Sequence, residues 1–252
     1  MGLGGGRHAA DPGLARRAVT DLLRLVLPVA CAGCGRLDEP LCRPCRGALP
    51  RAGWLVSELA EHGAPPTWAG GDYAGVLQRV VLAFKDDGRH DLAPVLGGCL
   101  ARSAASALAD LGLPAPVVLV PAPSSRAAVR SRGADLTAGL AADAAAWLRR
   151  RGHAVAVCRV LVQRRKVQDQ AGLSATARHE NLTGALGVRH ARVVANRRVL
   201  LVDDVVTTGA TLAAAARVLE ESGAVVMGAV TIAATPKMSG FARGVSRTPA
   251  VD

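Results

Sequence analysis

Residues Val199–Val202 read VLLV, apolar at every position. A strand with one wet face alternates apolar and polar side chains. An unbroken apolar run therefore implies a strand covered on both faces, as in a parallel sheet packed between helices. The same texture recurs in "PVVLVPAP", "AVAVCRVLV" and "AVVMGAVTIAA". Between these runs lie the helical patterns "GADLTAGLAADAAAWLRRRG", which ends at Gly152, and "TLAAAARVLEES". Strands alternating with helices predict an α/β domain with a parallel sheet over residues 115–236. Aromatic residues make up only 2% of the chain, so its core is built from Ala, Val and Leu.

The VLLV run leads into Asp203 and Asp204, the small-residue loop "VVTTGAT", and a helix from about Thr211. Both acids are expected at the carboxyl end of a parallel strand, where open α/β sheets bind ligands. The first N–H groups of the helix lack internal partners and carry the positive end of its dipole, which suits a phosphate. Gly209 and Ala210 let the anion approach the backbone, and the hydroxyls of Thr207, Thr208 and Thr211 can donate to it. Carboxylates do not bind phosphate, so the acids serve another part of the same ligand. Vicinal sugar hydroxyls and a Mg2+ ion are the natural candidates. The stretch as a whole specifies a sugar 5-phosphate. A Walker-type phosphate loop is excluded because the chain contains no Gly-Lys dipeptide. A dinucleotide fingerprint is excluded because "GLGGGR" follows no strand.

A second motif stands upstream in "CAGCGRLDEPLCRPC". Cys31, Cys34, Cys42 and Cys45 form two C-x-x-C pairs, which can close a tetrahedral Zn2+ site with thiolates only. Such a site is structural, since no coordination position stays open. Cys99 and Cys158 lie in apolar surroundings and are expected to be small buried hydrophobes.

The formal net charge is +11, carried mostly by Arg; the lysines are Lys85, Lys166 and Lys237 alone. This balance favours anionic partners: phosphorylated small molecules, nucleic acid or an anionic surface. "LLRLVLPVA" is too short to span a bilayer, and no signal-peptide pattern is expected at the amino terminus. A cytoplasmic location follows by default, which disfavours disulfides. The expected organisation is a tail and the start of a short helix over 1–21, a zinc knuckle over 22–54 and a mixed connecting region over 55–114. The α/β domain (115–236) and a disordered tail (237–252) complete it. Asp86 and Asp87 are expected in an exposed turn, because no strand and phosphate loop frame them.

"VLLVDDVVTTGATL" resembles the phosphoribosyl pyrophosphate (PRPP) motif of type I phosphoribosyltransferases. With the four cysteines, "VLVPAPSSRAAVRSRG" and "RRKVQDQAGLSATARHENL", the chain resembles the ComF family from about Leu22 to Thr235. The resemblance implies a type I phosphoribosyltransferase-like domain with a small amino-terminal four-cysteine zinc knuckle, and Mg2+-PRPP as ligand. Asp203 and Asp204 would hold the ribose hydroxyls, and Thr207, Thr208, Gly209, Ala210 and Thr211 the 5-phosphate. Ser124, Ser125, Arg126 and Arg132 would lie at a pyrophosphate loop. Lys166 and Gln170 would belong to a mobile loop that closes over the substrate. Arg178 and Asn181 match the family's R..N pattern. "FKDDGRHDL" resembles its Lys-Gly-Asp region, with Lys85, Gly88 and Asp91 kept. "RGADLT" (Arg132 to Thr137) departs from the family's R-G-F-N-Q. The family is associated with natural competence, so single-stranded DNA or the DNA-uptake machinery are implied partners. The alternative is a nucleic-acid-binding protein that uses the fold without catalysis. Loss of the cysteines is expected to leave the PRPP pocket untouched.

Overall fold

The computed structural model describes residues 29–112, 116–164 and 184–236. Its centre is a six-stranded sheet of β1 (Trp54–Leu55), β2 (Thr67–Asp72), β3 (Val117–Pro121), β4 (Val155–Val157), β7 (Arg198–Val206) and β8 (Val225–Ala234). Across the sheet the order is β1-β2-β8-β7-β3-β4. Five of the strands run parallel, and β1 closes one edge antiparallel to β2. The mixed α/β fold with a mostly parallel sheet is as the apolar runs predict. Val118–Val120, Val199–Val202 and Ala229–Ala234 are all buried, so both faces of the sheet are covered.

Each face has its own core. On one side α2 (Gly75–Asp86), α3 (Ala93–Asp110) and α5 (Leu136–Arg149) pack Leu96, Leu100, Leu140 and Leu148 onto Leu119, Leu200, Val202 and Val230. On the other, α6 (Ala210–Glu220) packs Leu212, Ala215 and Leu219 near Val120, Val199 and Leu201. Small Ala side chains on α3, α5 and α6 let these helices lie close to the sheet. The stretch His90–Asp110, which contains α3, is long and apolar enough to cross a membrane, but it is mostly buried inside the fold. Its apolarity serves the core.

Two expectations change. "AVAVCRVLV" reads as one strand in the sequence and is two in the fold. β4 joins the main sheet, whereas β5 (Leu161–Gln163) leaves it and pairs antiparallel with β6 (Leu186–Val188). The stretch 55–114, expected as a connecting region, supplies β2, α2, α3 and part of β1 to the main sheet and its cover. β2 pairs directly with β8, so this stretch is built into the same sheet as the later strands. The expected amino-terminal helix (14–27) and the carboxyl-terminal tail (237–252) lie outside the described residues.

Candidate functional site

The acids occupy the carboxyl end of β7, which runs through them to Val206 instead of stopping after VLLV. Val202 packs into the α3-side core and Val206 into the α6-side core. Residues four apart in a regular strand share a face, so the alternation slips once across Asp203–Val205. The carboxylates fold back onto the chain at this slip. The N–H of Asp204 donates to Asp203 Oδ1 at 2.9 Å, and the N–H of Val205 donates to Asp204 Oδ1 at 2.7 Å.

The second oxygen of Asp204 meets Lys85 Nζ at 2.9 Å, from the last turn of α2. Burial alone would lower the Lys85 ammonium, but Asp204 and Asp203 outweigh it and keep the lysine charged. Asp203 behaves differently. Burial, helped by the neighbouring Asp204 charge, pushes its carboxyl up to about 7, against the pull of Lys85. Near neutral pH the Asp203 carboxyl therefore lies close to its midpoint. Tyr73, which follows β2, joins the same electrostatic group; burial raises its phenol. Opposite Asp203 in the β7–β8 register stands Thr231, whose buried hydroxyl has no hydrogen-bond partner among the described residues.

Beyond the acids, Gly209 opens α6 with φ +75°. A Cβ there would come within 2.8 Å of Ala64 Cβ and 3.2 Å of Leu59 Cδ2. Both the left-handed backbone and the close approach require glycine. The loop is thus pinned by the 3-10 turn Ser57–His62 and presents the open N–H groups of α6. Thr208 and Thr211 are half-buried and Thr207 is exposed. These residues and the two acids lie at the same end of the sheet.

On the far side, Pro121 pairs with Val202, and the N–H of Ala122 donates to the Val202 carbonyl at 2.8 Å. This brings the "PAPSS" turn beside the acids. Ser125 caps α4 (Arg126–Arg132) by accepting from the Ala128 N–H at 3.0 Å. Ser124 donates to Asp135, the N-cap of α5, at 3.0 Å. Both hydroxyls expected at a pyrophosphate loop are therefore engaged in holding that turn. Arg132 reaches Asp86 at 3.2 Å, across to the end of α2. Asp86 closes α2 and Asp87 is its C-cap, both exposed. The side chain of Arg126 and all of Lys166, Gln170, Arg178 and Asn181 lie outside the described residues.

Lys85 and Tyr73 are the site residues that motif reading did not place there. Lys85 carried a signal: it is one of three lysines in a chain whose other cations are Arg.

The cysteines meet as their spacing requires. All four Sγ atoms lie within 4.8 Å of one another, and all are free thiols. Zn–S bonds of about 2.3 Å at tetrahedral angles put sulfurs about 3.8 Å apart; Cys34 and Cys42 are at 3.6 Å. Burial opposes ionisation of Cys31, but N–H donors from Cys42 (3.3 Å) and Gly33 (3.4 Å) bring its thiol down to about 6. Amides aimed at a sulfur are the outer shell a metal thiolate needs. A Cβ on Gly33 would lie 2.7 Å from Cys45 Sγ, so the cluster closes only around glycine. The group fits a structural zinc held by Cys31, Cys34, Cys42 and Cys45.

The knuckle does not stand alone. Arg79 of α2 donates through Nε to the Gly33 carbonyl. Arg89 donates to the carbonyls of Ala30 (3.0 Å) and Pro40 (3.1 Å), and Asp91 grips the same guanidinium at 2.9 Å. The helix that carries Lys85 is thus fastened to the knuckle through Arg79, and the turn after it through Arg89.

A mostly parallel sheet with an acid pair on its central strand and a glycine-opened helix after it is the fold of a phosphoribosyltransferase-type domain. In keeping with that geometry, residues 128–244 match the family model of the phosphoribosyl transferase domain. The chain carries a domain of that type. The matched segment begins within α4 and includes the acid loop, but leaves Lys85 and the four cysteines outside it. No curated protein matches the chain at a significant level.

Proposed function

We propose that this chain is a ComF-type, phosphoribosyltransferase-like protein that binds Mg2+-PRPP in the cytoplasm. The observation that carries the reading is the acid pair on β7, bonded to Lys85 and followed directly by the glycine-opened helix. We further propose a division into a knuckle (22–54) and a transferase-like domain (115–236), with 55–114 completing the latter's sheet.

In this reading the open N–H groups of residues 208–211 hold the 5-phosphate, with the hydroxyls of Thr207, Thr208 and Thr211 around it. Asp204 accepts a hydrogen bond from one ribose hydroxyl. Asp203, with its midpoint near 7, can donate to or accept from the other. Lys85 neutralises Asp204 in the resting site and is placed to turn toward the diphosphate when the sugar arrives. Among the described residues the only group of three or more possible metal ligands is the cysteine cluster. The acids with Lys85 beside them suit a Mg2+ that enters chelated by the diphosphate. That ion would offset the charge on the leaving group. In the transfer an acceptor nucleophile bonds to C1 as the C1–O bond to diphosphate breaks. The electron pair leaves with the diphosphate, and the acceptor gives up a proton. Lys166 and Gln170 would belong to the segment that excludes water during this step.

Calorimetric titration with PRPP, with and without Mg2+, tests binding; no heat under either condition would refute the reading. Pyrophosphate release against a panel of bases and amines then tests catalysis. A protein that binds PRPP but releases no pyrophosphate with any acceptor would instead support the non-catalytic reading. That second reading, handling of single-stranded DNA with the DNA-uptake machinery as partner, is favoured by the +11 charge.

A further inference from the structure

A cavity of about 700 Å3 lies where the knuckle meets α3 and α5, and it shares no residue with the acid-pair site. Its rim carries Arg43 and Arg46 of α1 (Arg43–Gly47), Arg51 just after it, and Arg102 of α3. Among the described residues no Asp or Glu lines it. Among the described residues, none of these four arginines forms an ion pair with a carboxylate. Four arginines around one cavity give it a positive potential, which an anion placed there offsets. Phosphate matches the guanidinium fork through paired N–H···O bonds.

The walls add a second requirement. Trp147, half-buried, faces the cavity beside Leu49 and Val95. The Arg151 guanidinium lies 3.5 Å from the Trp147 ring centre, and that of Arg102 lies 5.8 Å from it. An arginine–indole stack offers a flat, polarisable edge of the kind that packs against a nucleobase. Burial raises the Cys99 thiol to about 11 against the pull of Arg102, so this cysteine is a neutral wall. The volume lies within the range of sites that enclose a small organic ligand.

We propose that this cavity is a second ligand site, which takes a nucleoside phosphate. The phosphate lies among Arg43, Arg46, Arg51 and Arg102, and the base lies against Val95 and Trp147. The site is separate from the PRPP reading and stands or falls without it. A free nucleotide and a nucleotide unit of a single strand present the same chemistry.

The test titrates the full chain separately with ADP and with a short oligothymidylate, read by tryptophan emission and calorimetry at low and high salt. Arg46→Glu and Arg43→Glu change exposed side chains, and thermal melting checks that each variant folds. Either probe should bind wild type, and each reversal should weaken it at least about tenfold, whereas Asp204→Asn should leave it unchanged. Binding of ADP identifies a free nucleotide as the source. Binding of the oligonucleotide alone, steeply lost with salt, identifies the strand. Either result supports the site. No binding of either probe overturns it, and so does binding that survives both reversals or disappears in Asp204→Asn.

Discussion

Asp203–Asp204 and Asp86–Asp87 are the same dipeptide, and the molecule uses them in opposite ways. The first pair sits on a central strand, where burial raises the Asp203 carboxyl to about 7 and a lysine bridges Asp204. The second ends a surface helix, with Asp86 exposed and joined to Arg132 in an open ion pair. Such exposed pairs contribute roughly 0–1 kcal/mol. The two pairs are nevertheless neighbours in space, because Lys85, which binds Asp204, directly precedes Asp86. Environment, and not composition, gives a carboxylate its role.

This contrast can be broken or sharpened by four measurements, from the largest expected effect to the smallest. Asp204→Asn removes the charge proposed to accept a sugar hydroxyl and takes away the carboxylate that pairs with Lys85. Calorimetry should show Mg2+-PRPP binding weakened about thirtyfold, equivalent to about 2 kcal/mol. Cys31→Ser with Cys34→Ser should release about one zinc per chain, measured by metal analysis. PRPP affinity should fall several-fold with it, because Arg79 ties α2 to the knuckle and Arg89 ties the turn that follows α2. The motif alone treats knuckle and pocket as independent; α2 joins them. Unchanged affinity after zinc loss would show that Lys85 holds its place without the metal.

The third measurement is stability against pH. Asp203 binds its proton more tightly folded than unfolded, so its contribution is full below about 3.8 and is lost as pH rises toward about 7. Asp203→Asn should flatten that part of the denaturation profile, and Lys85→Met should move the midpoint upward, since Lys85 pulls it down. Last, Asp86→Asn with Asp87→Asn should change PRPP affinity less than about twofold and stability by less than about 0.5 kcal/mol. A larger loss would give the exposed pair a role in the site.

Much of the site was legible because its signals are local. The VLLV run declares a strand covered on both faces, and the loop after it needs small residues regardless of the rest of the chain. The C-x-x-C spacing likewise fixes four sulfurs within a few turns. What escaped depends on contacts between distant segments. Lys85 becomes a site residue only when α2 lies over the end of β7. β2 ("TWAGGD") contains two glycines and has no long apolar run, yet it is a buried inner strand because β8 lies beside it. The break between β4 and β5 falls at Cys158–Val160, where nothing in the residue types marks the change of sheet. The exchange of expected phosphate contacts for structural ones at Ser124 and Ser125 has the same origin. An N-cap and a ligand donor require the same hydroxyl.

The position of β8 has a consequence for how the molecule comes into being. It is the last strand among the described residues, and it lies between β2 and β7 in the middle of the sheet. During synthesis β2 emerges early and waits with an open edge until residues 225–234 have left the ribosome. Only then can the acid-bearing strand and the strand leading to Tyr73 and Lys85 join one sheet. Pairing across most of the chain length is slow to form, and the waiting edges are exposed to other chains meanwhile. A nascent chain stopped short of β8 would lack both the sheet and the site.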